Sequence, residues 1–163
     1  GPGEALFRSD APSAGTVLID DLRLGDQPSF AHGLTVAGGR LFFVAFNETT
    51  GSELWVSQGN AGSTHLVADL RPGRLGSSPQ HLAAAGGVLV FAADDGLSGL
   101  EPWRSDGTAT GTYRLGDIAA GADSSNPGPF SVVGQQILFG ADDGRHGREL
   151  WAMPLADVRS GRP

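Results

Sequence analysis

Cysteine and lysine are both missing from this 163-residue chain. Without cysteine there is no disulfide framework and no thiolate metal site; the absence also fits an exported bacterial protein. Without lysine, all 11 basic side chains are arginine, set against 18 carboxylates for a net charge of −7. Arg8, Arg23, Arg40, Arg71, Arg74 and Arg104 are scattered and form no basic stripe, which argues against a nucleic-acid partner. Long apolar runs are also missing. None reaches the roughly 18 residues that read as a membrane-spanning helix. No stretch keeps a 3.6-residue apolar period, and 26 glycines weaken any helix.

What is present is a repeat. Trp55, Trp103 and Trp151 stand 48 residues apart, and Phe7 occupies the same place one step earlier. The second and third copies share Thr64/Thr112, Asp69/Asp117, Gly73/Gly121, Pro79/Pro127, Gly86/Gly134, Phe91/Phe139 and Glu101/Glu149. The first copy is more diverged but keeps Thr16, Asp21, Gly25, Gly38, Phe43, Ala45, Gly51 and Glu53 in register. A period between about 20 and 50 residues marks a solenoid, a propeller or another array.

The unit reads as β throughout. Leu82-Ala83-Ala84-Ala85 meets the Gly86-Gly87 turn, then Val88 to Ala93, then the Asp94-Asp95-Gly96 turn. Leu100 to Ser105 forms a third strand, Asp106-Gly107-Thr108 a third turn, and Thr112 to Ile118 a fourth strand. Strands of this length between Gly/Asp turns predict antiparallel hairpins. One longer connection per copy follows: Arg23 to Gly33, Arg71 to His81, and Ile118 to Phe130. A four-stranded meander stepping by a crossover to the next meander is a β-propeller blade.

The expected fold is therefore all-β, with blades of four antiparallel strands in three repeats: 7–54, 55–102 and 103–150. Gly1-Pro2 reads as the scar of a cleaved purification tag, and residues 1–3 are set aside. Residues 4–163 form one repeat domain, with a partial closing strand over 151–163. Rings use about four to eight blades, so three would leave apolar faces open to water. Closure is expected from copies of the chain, a dimer giving six blades, or from repeats outside this sequence. The Val17 to Leu22 strand is a candidate clasp for the last blade.

Three sets of residues carry possible chemistry. Trp55, Trp103 and Trp151 either pack between blades or stack on a sugar face, one site per repeat. Asp94, Asp95 and Glu101, and likewise Asp142, Asp143 and Glu149, are candidate oxygen ligands for calcium, or else ordinary hairpin-turn residues. No cofactor is expected, with calcium at these acidic turns as the alternative. Ser105-Asp106-Gly107-Thr108 bonds to turn amides or offers a serine nucleophile, which would need a histidine within reach. His32, His65, His81 and His146 do not recur at the repeat period. Sequence variation between copies concentrates in one loop: Glu48-Thr49-Thr50, Leu97-Ser98 and Arg145-His146. Arg145 and His146 are accordingly candidate ligand-binding residues.

The strings Glu53-Leu54-Trp55 and Glu149-Leu150-Trp151, with Ser105-Asp106-Gly107-Thr108 and Gly111-Thr112, resemble a bacterial, myxobacterial-type ELWxxDGT repeat family. Ser124-Ser125-Asn126-Pro127 and Ala93-Asp94-Asp95-Gly96 resemble it too. The resemblance spans nearly the whole chain. The first copy departs from it at Ala5-Leu6-Phe7 and Ser9-Asp10-Ala11-Pro12, and Pro102 replaces a motif leucine. The resemblance implies an extracellular propeller-like domain and no enzymatic activity that maps onto particular residues; the chain is expected to be secreted or surface-displayed and not an enzyme. The expected function is binding of an extracellular protein or glycan through blade-edge loops. A lectin with one site per repeat, a self-assembling structural protein and a fragment of a larger enzyme are the alternatives.

Overall fold

The computed structural model describes residues 5–10, 15–22 and 28–160. The expectations for residues 1–3, Ala11-Pro12, the start of the first crossover at Arg23 and residues 161–163 lie outside the described residues.

Four antiparallel sheets follow one another along the chain. The first pairs β1 (Ala5–Arg8) with β2 (Val17–Asp21). The next is a meander of β3 (His32–Ala37), β4 (Arg40–Asn47), β5 (Gly51–Ser57) and β6 (His65–Leu66). It is repeated by β7 (Gln80–Ala85), β8 (Val88–Asp94), β9 (Leu100–Ser105) and β10 (Tyr113–Arg114). The last sheet has β11 (Ser131–Val133), β12 (Gln136–Asp142) and β13 (Arg148–Pro154). Register repeats with the sequence: Phe43 faces Trp55, Phe91 faces Trp103, and Phe139 faces Trp151. The blade-like β repeat expected from the 48-residue step is the observed architecture.

Strand alternation explains why the sheets must stack. Along β8, Leu89, Phe91 and Ala93 point into a core shared with β4 and β5, where Phe42, Leu54 and Val56 meet them. Val88, Val90 and Ala92 point the other way, into a core with Phe130, Ile137 and Phe139. Both faces of the strand are covered, so it reads as an unbroken apolar run. A third core joins the β1–β2 sheet to β4 and β5 through Leu6, Ile19, Leu22, Phe43 and Trp55. Burying each large side chain stabilises by roughly 1.5–3 kcal/mol, and neither face of a blade can be hidden without a neighbour.

Several boundaries differ from the sequence reading. The fourth strands shrink to two residues each: β6 pairs at His65 and Leu66 and β10 at Tyr113 and Arg114, with one further backbone bond past each, from Val67 to Leu54 and from Leu115 to Pro102. The partial closing strand over 151–163 is corrected: residues 151–154 belong to β13, and Leu155–Arg159 form a short helix, α1. Leu155 and Val158 are both buried in the core between the second and third blades, a one-turn spacing that a strand would place on opposite faces. The clasp strand Val17–Asp21 pairs with β1 and not with β13. No helix among the described residues is long and apolar enough to cross a membrane.

Candidate loop site at one end of the blades

In the first two blades the loop between the second and third strands meets the crossover that leads to the next blade. Two repeated features hold them together. Gly51 has φ 71°, and a Cβ there would lie 2.4 Å from the Gly76 nitrogen; at Gly99 a Cβ would lie 2.3 Å from the Asp123 carbonyl oxygen. Only glycine allows this approach at positive φ. The equivalent Gly147 meets nothing within 4 Å.

The second feature is a buried glutamate. Glu101 is fully buried and accepts hydrogen bonds from the amides of Ile118 (3.0 Å), Ala119 (3.2 Å) and Ser125 (3.1 Å) and from the Ser125 hydroxyl (2.8 Å). Glu53, equally buried, accepts from the amides of Arg71 (3.1 Å) and Ser77 (2.9 Å) and from the Ser77 hydroxyl. Burial pushes the Glu53 carboxyl above its ordinary value; the Ser77 hydroxyl and the amides of Arg71, Ser77 and Leu70 oppose that rise. A carboxylate surrounded by amide donors suits a crossover loop whose own carbonyls cannot reach those donors. Ser29, Ser77 and Ser125 are buried at the repeat step, and their carbonyls accept from the amides of Phe46, Asp94 and Asp142. The Glu/Ser pairing was readable as two periodic residues, but nothing in the sequence said that they touch.

The acidic-turn candidates are corrected by the same accounting. Asp94 accepts from the Gly96 amide at 2.7 Å and pairs with Arg71 at 2.5 Å. Asp95 accepts from the amides of Leu97 (2.9 Å) and Ser98 (2.8 Å). Partial burial would raise its carboxyl, but those amides, with Arg114 and the Ser98 hydroxyl, hold it below the usual range. Asp142 accepts from the Gly144 amide at 2.8 Å, and Asp143 from the amides of Arg145 and His146. Glu101 is occupied by the crossover, and Glu149 is exposed on β13. Among the described residues no three acidic or histidine side chains converge as a metal-binding group. The carboxylates cap turns, as Asp does wherever a side-chain oxygen reaches its own following amides.

The tryptophans are also placed by packing. Trp55 and Trp103 are each 8% exposed inside inter-blade cores, which corrects the ligand-stacking alternative for both: their ring faces are already covered. The Trp103 indole donates to the Ala93 carbonyl at 3.0 Å and Trp151 donates to Ala141 at 3.2 Å. Trp151 is half-buried against the core between the second and third blades.

Arg145 and His146 remain at the surface of their loop. The His146 Nδ1 lies 2.8 Å from Asp143. The amide and imidazole of His146 hold Asp143 well below the carboxylate range, and Asp143 in turn raises His146. At the same end Leu75 is 73% exposed and Leu97 79% exposed, two apolar residues that the sequence reading did not single out beyond the loop position of Leu97.

At the opposite end, the Ser105 hydroxyl is buried against Thr112 at 2.7 Å and accepts from the Gly107 amide at 3.0 Å. Asp106 accepts from the Thr108 amide and hydroxyl at 2.9 and 2.7 Å. This segment is turn chemistry and its partners include no histidine. Open cavities lie elsewhere among the described residues, including one of about 310 Å³ beside Leu6, Leu22, Leu34 and Phe43 and two others. One of about 460 Å³ sits between β10 and α1, lined by Arg114, Met153 and Asp157 among others. The other, about 500 Å³, lies between β3 and β7 beside His32, Gln80 and His81.

No protein-family model matches the chain. No curated protein matches it either. Among solved structures, a crystal structure of puromycin hydrolase is similar at a TM-score of 0.48 and 14% identity, over 91% of this chain and 30% of that one. The chain thus spans under a third of that protein, and a likeness at this level carries no argument about activity.

Proposed function

We propose that this chain is a non-enzymatic, propeller-type binding module of the ELWxxDGT kind, secreted or displayed on a cell surface, that recognises an extracellular protein or glycan through the loop end of its blades. The observation that carries this reading is how the polar side chains are distributed. The recurring Glu, Ser and Asp residues are bonded to backbone amides and fix the loops, while Leu75, Leu97, Arg145 and His146 project from them. Rigidly held loops with variable, exposed tips are what recognition on a β scaffold uses. Exposed leucine and arginine side chains on such loops make a mixed surface of the sort found at protein interfaces.

Binding is tested on glycan arrays and on a panel of purified extracellular proteins, using the native chain beside Leu97→Asp and Arg145→Glu. Loss of signal in both variants, with an unchanged circular dichroism spectrum, supports loop recognition. Signal that survives both, or turnover of ester or peptide substrates by the native chain, overturns it.

A further inference from the structure

The first strands of the first two blades, β3 and β7, border the open cavity of about 500 Å³ beside His32, Gln80 and His81. Its walls come from those two blades and the end of the crossover between them. Its volume lies within the roughly 300–1,000 Å³ of small-molecule sites. Val44 and Leu82 give it an apolar side, and none of the side chains lining it is a carboxylate or a guanidinium.

Both histidines interrupt the repeat. Positions 32, 80 and 128 hold His, Gln and Gly, and positions 33, 81 and 129 hold Gly, His and Pro. His81 stands where Gly33 stands one repeat earlier, and its backbone keeps the glycine conformation, φ 54° against 69°. Residues with a Cβ rarely enter this region, and such strain gathers at ligand sites. The His81 ring is braced as well: a Cβ at Gly128 would lie 2.8 Å from it. His32 is held by its own chain, its Nδ1 donating at 2.8 Å to the carbonyl of Phe30, which itself sits at φ 49°. Both strands open with the same irregularity of register, between His32 and Thr35 and between Gln80 and Ala83. Bulges of this kind re-aim side chains and are over-represented beside active sites.

The hydrogen-bonding groups define the ligand. With its Nδ1–H given to Phe30, the neutral His32 ring offers Nε2 as a bare acceptor. Thr35 gives its hydroxyl proton to the Gly33 carbonyl at 2.9 Å and keeps its lone pairs. The Gln80 carboxamide and the His81 ring each supply a donor and an acceptor. Acceptors without a fixed positive charge favour a ligand that brings O–H donors and no net charge; an anion would bring acceptors alone.

We propose that this cavity binds one neutral hexose ring per chain, with its hydroxyls on His32, Thr35, Gln80 and His81 and its carbon face against Val44 and Leu82. The third blade has Gly128 and Pro129 at the corresponding positions, which carry no such groups. The site shares no residue with the loop tips at Leu75, Leu97, Arg145 and His146, so binding here and binding there fail separately.

The test titrates the chain with methyl glycosides of glucose, galactose and mannose and follows the four histidine rings by proton NMR. One glycoside should shift His32 and His81 and leave His65 and His146 in place. His81→Gly restores the residue of the earlier repeat; it should weaken binding by about 10-fold or more without lowering the thermal midpoint. Gln80→Ala, at an exposed position, should weaken binding in a chain of unchanged midpoint, and Leu97→Asp and Arg145→Glu should leave binding unchanged. Immobilised glycans ending in the same hexose form a second arm: capture there at higher affinity than the free glycoside identifies a glycan terminus as the source, and equal affinity a free sugar. No hexose binding in either arm, binding retained in both His81→Gly and Gln80→Ala, or His32 and His81 shifted by acetate or inorganic phosphate and by no glycoside would overturn the site.

Discussion

Glu101 and Ser125 form the joint on which the second crossover turns: the serine gives both its amide, at 3.1 Å, and its hydroxyl, at 2.8 Å, to the same buried carboxylate. The contact crosses 24 residues of sequence and fastens the loop that carries the chain from one blade to the next. It also defines which carboxylates are structural and which are free.

Removing that carboxylate should be costly. Glu101→Ala leaves the amides of Ile118, Ala119 and Ser125 buried without acceptors, and unsatisfied groups cost roughly 1–3 kcal/mol each before relaxation. A loss of about 2–4 kcal/mol is expected in urea unfolding. Glu149→Ala, at an exposed position, should stay within about 0.5 kcal/mol in the isolated chain. Equal effects at the two positions would contradict the anchor.

Glu53 makes a prediction about pH. Its folded-state carboxyl lies above the ordinary value of 4.5 because burial disfavours the charge. The native state therefore holds a proton that the unfolded state has released. The contribution of this group to stability is fully present below pH 4.5 and is lost as pH rises through the raised value. Chemical unfolding across that window should show stability falling with pH from this group, and Glu53→Gln should flatten the slope.

Trp103 should behave as core. Trp103→Ala is expected to cost roughly 3–5 kcal/mol, with transfer and cavity terms together. Trp103→Phe should cost less but leave the Ala93 carbonyl without its indole donor. Thermal unfolding distinguishes this from a ligand-facing ring, whose loss would leave the midpoint unchanged.

His146 reports on its own loop. Asp143 accepts from the imidazole and raises its proton affinity above the ordinary 6.5. Proton NMR titration should find the midpoint above 6.5 in the native chain and returning toward it in Asp143→Asn. Any stability from the raised imidazole is present below pH 6.5 and disappears as pH rises through the native midpoint, whereas that from the lowered Asp143 carboxyl is present above pH 3.8 and is lost as pH falls through its depressed value.

Much of this was legible in the chain before any coordinates. A tryptophan every 48 residues, with glycine-rich turns between apolar runs, specifies antiparallel blades because strand pairing and turn geometry are local. The alternation of Leu89, Phe91 and Ala93 with Val88, Val90 and Ala92 likewise demands two neighbours. The site was less legible. Asp94, Asp95 and Glu101 lie close in sequence and look like one ligand set, yet the first two cap their own turn and the third faces away toward a crossover. Spacing cannot show which side of the sheet a carboxylate finds its donors on.

The repeat period, the strand order and the need for stacked sheets follow from the sequence itself, since each depends on residues a few places apart and on alternation along a strand. Only the tertiary structure decided that Glu101 meets Ser125, that Trp55 and Trp103 are enclosed, and that Leu155 begins a helix where a strand was expected. Those outcomes depend on which distant backbone amides and apolar faces come within a few ångströms, and that is set by how the blades pack against one another.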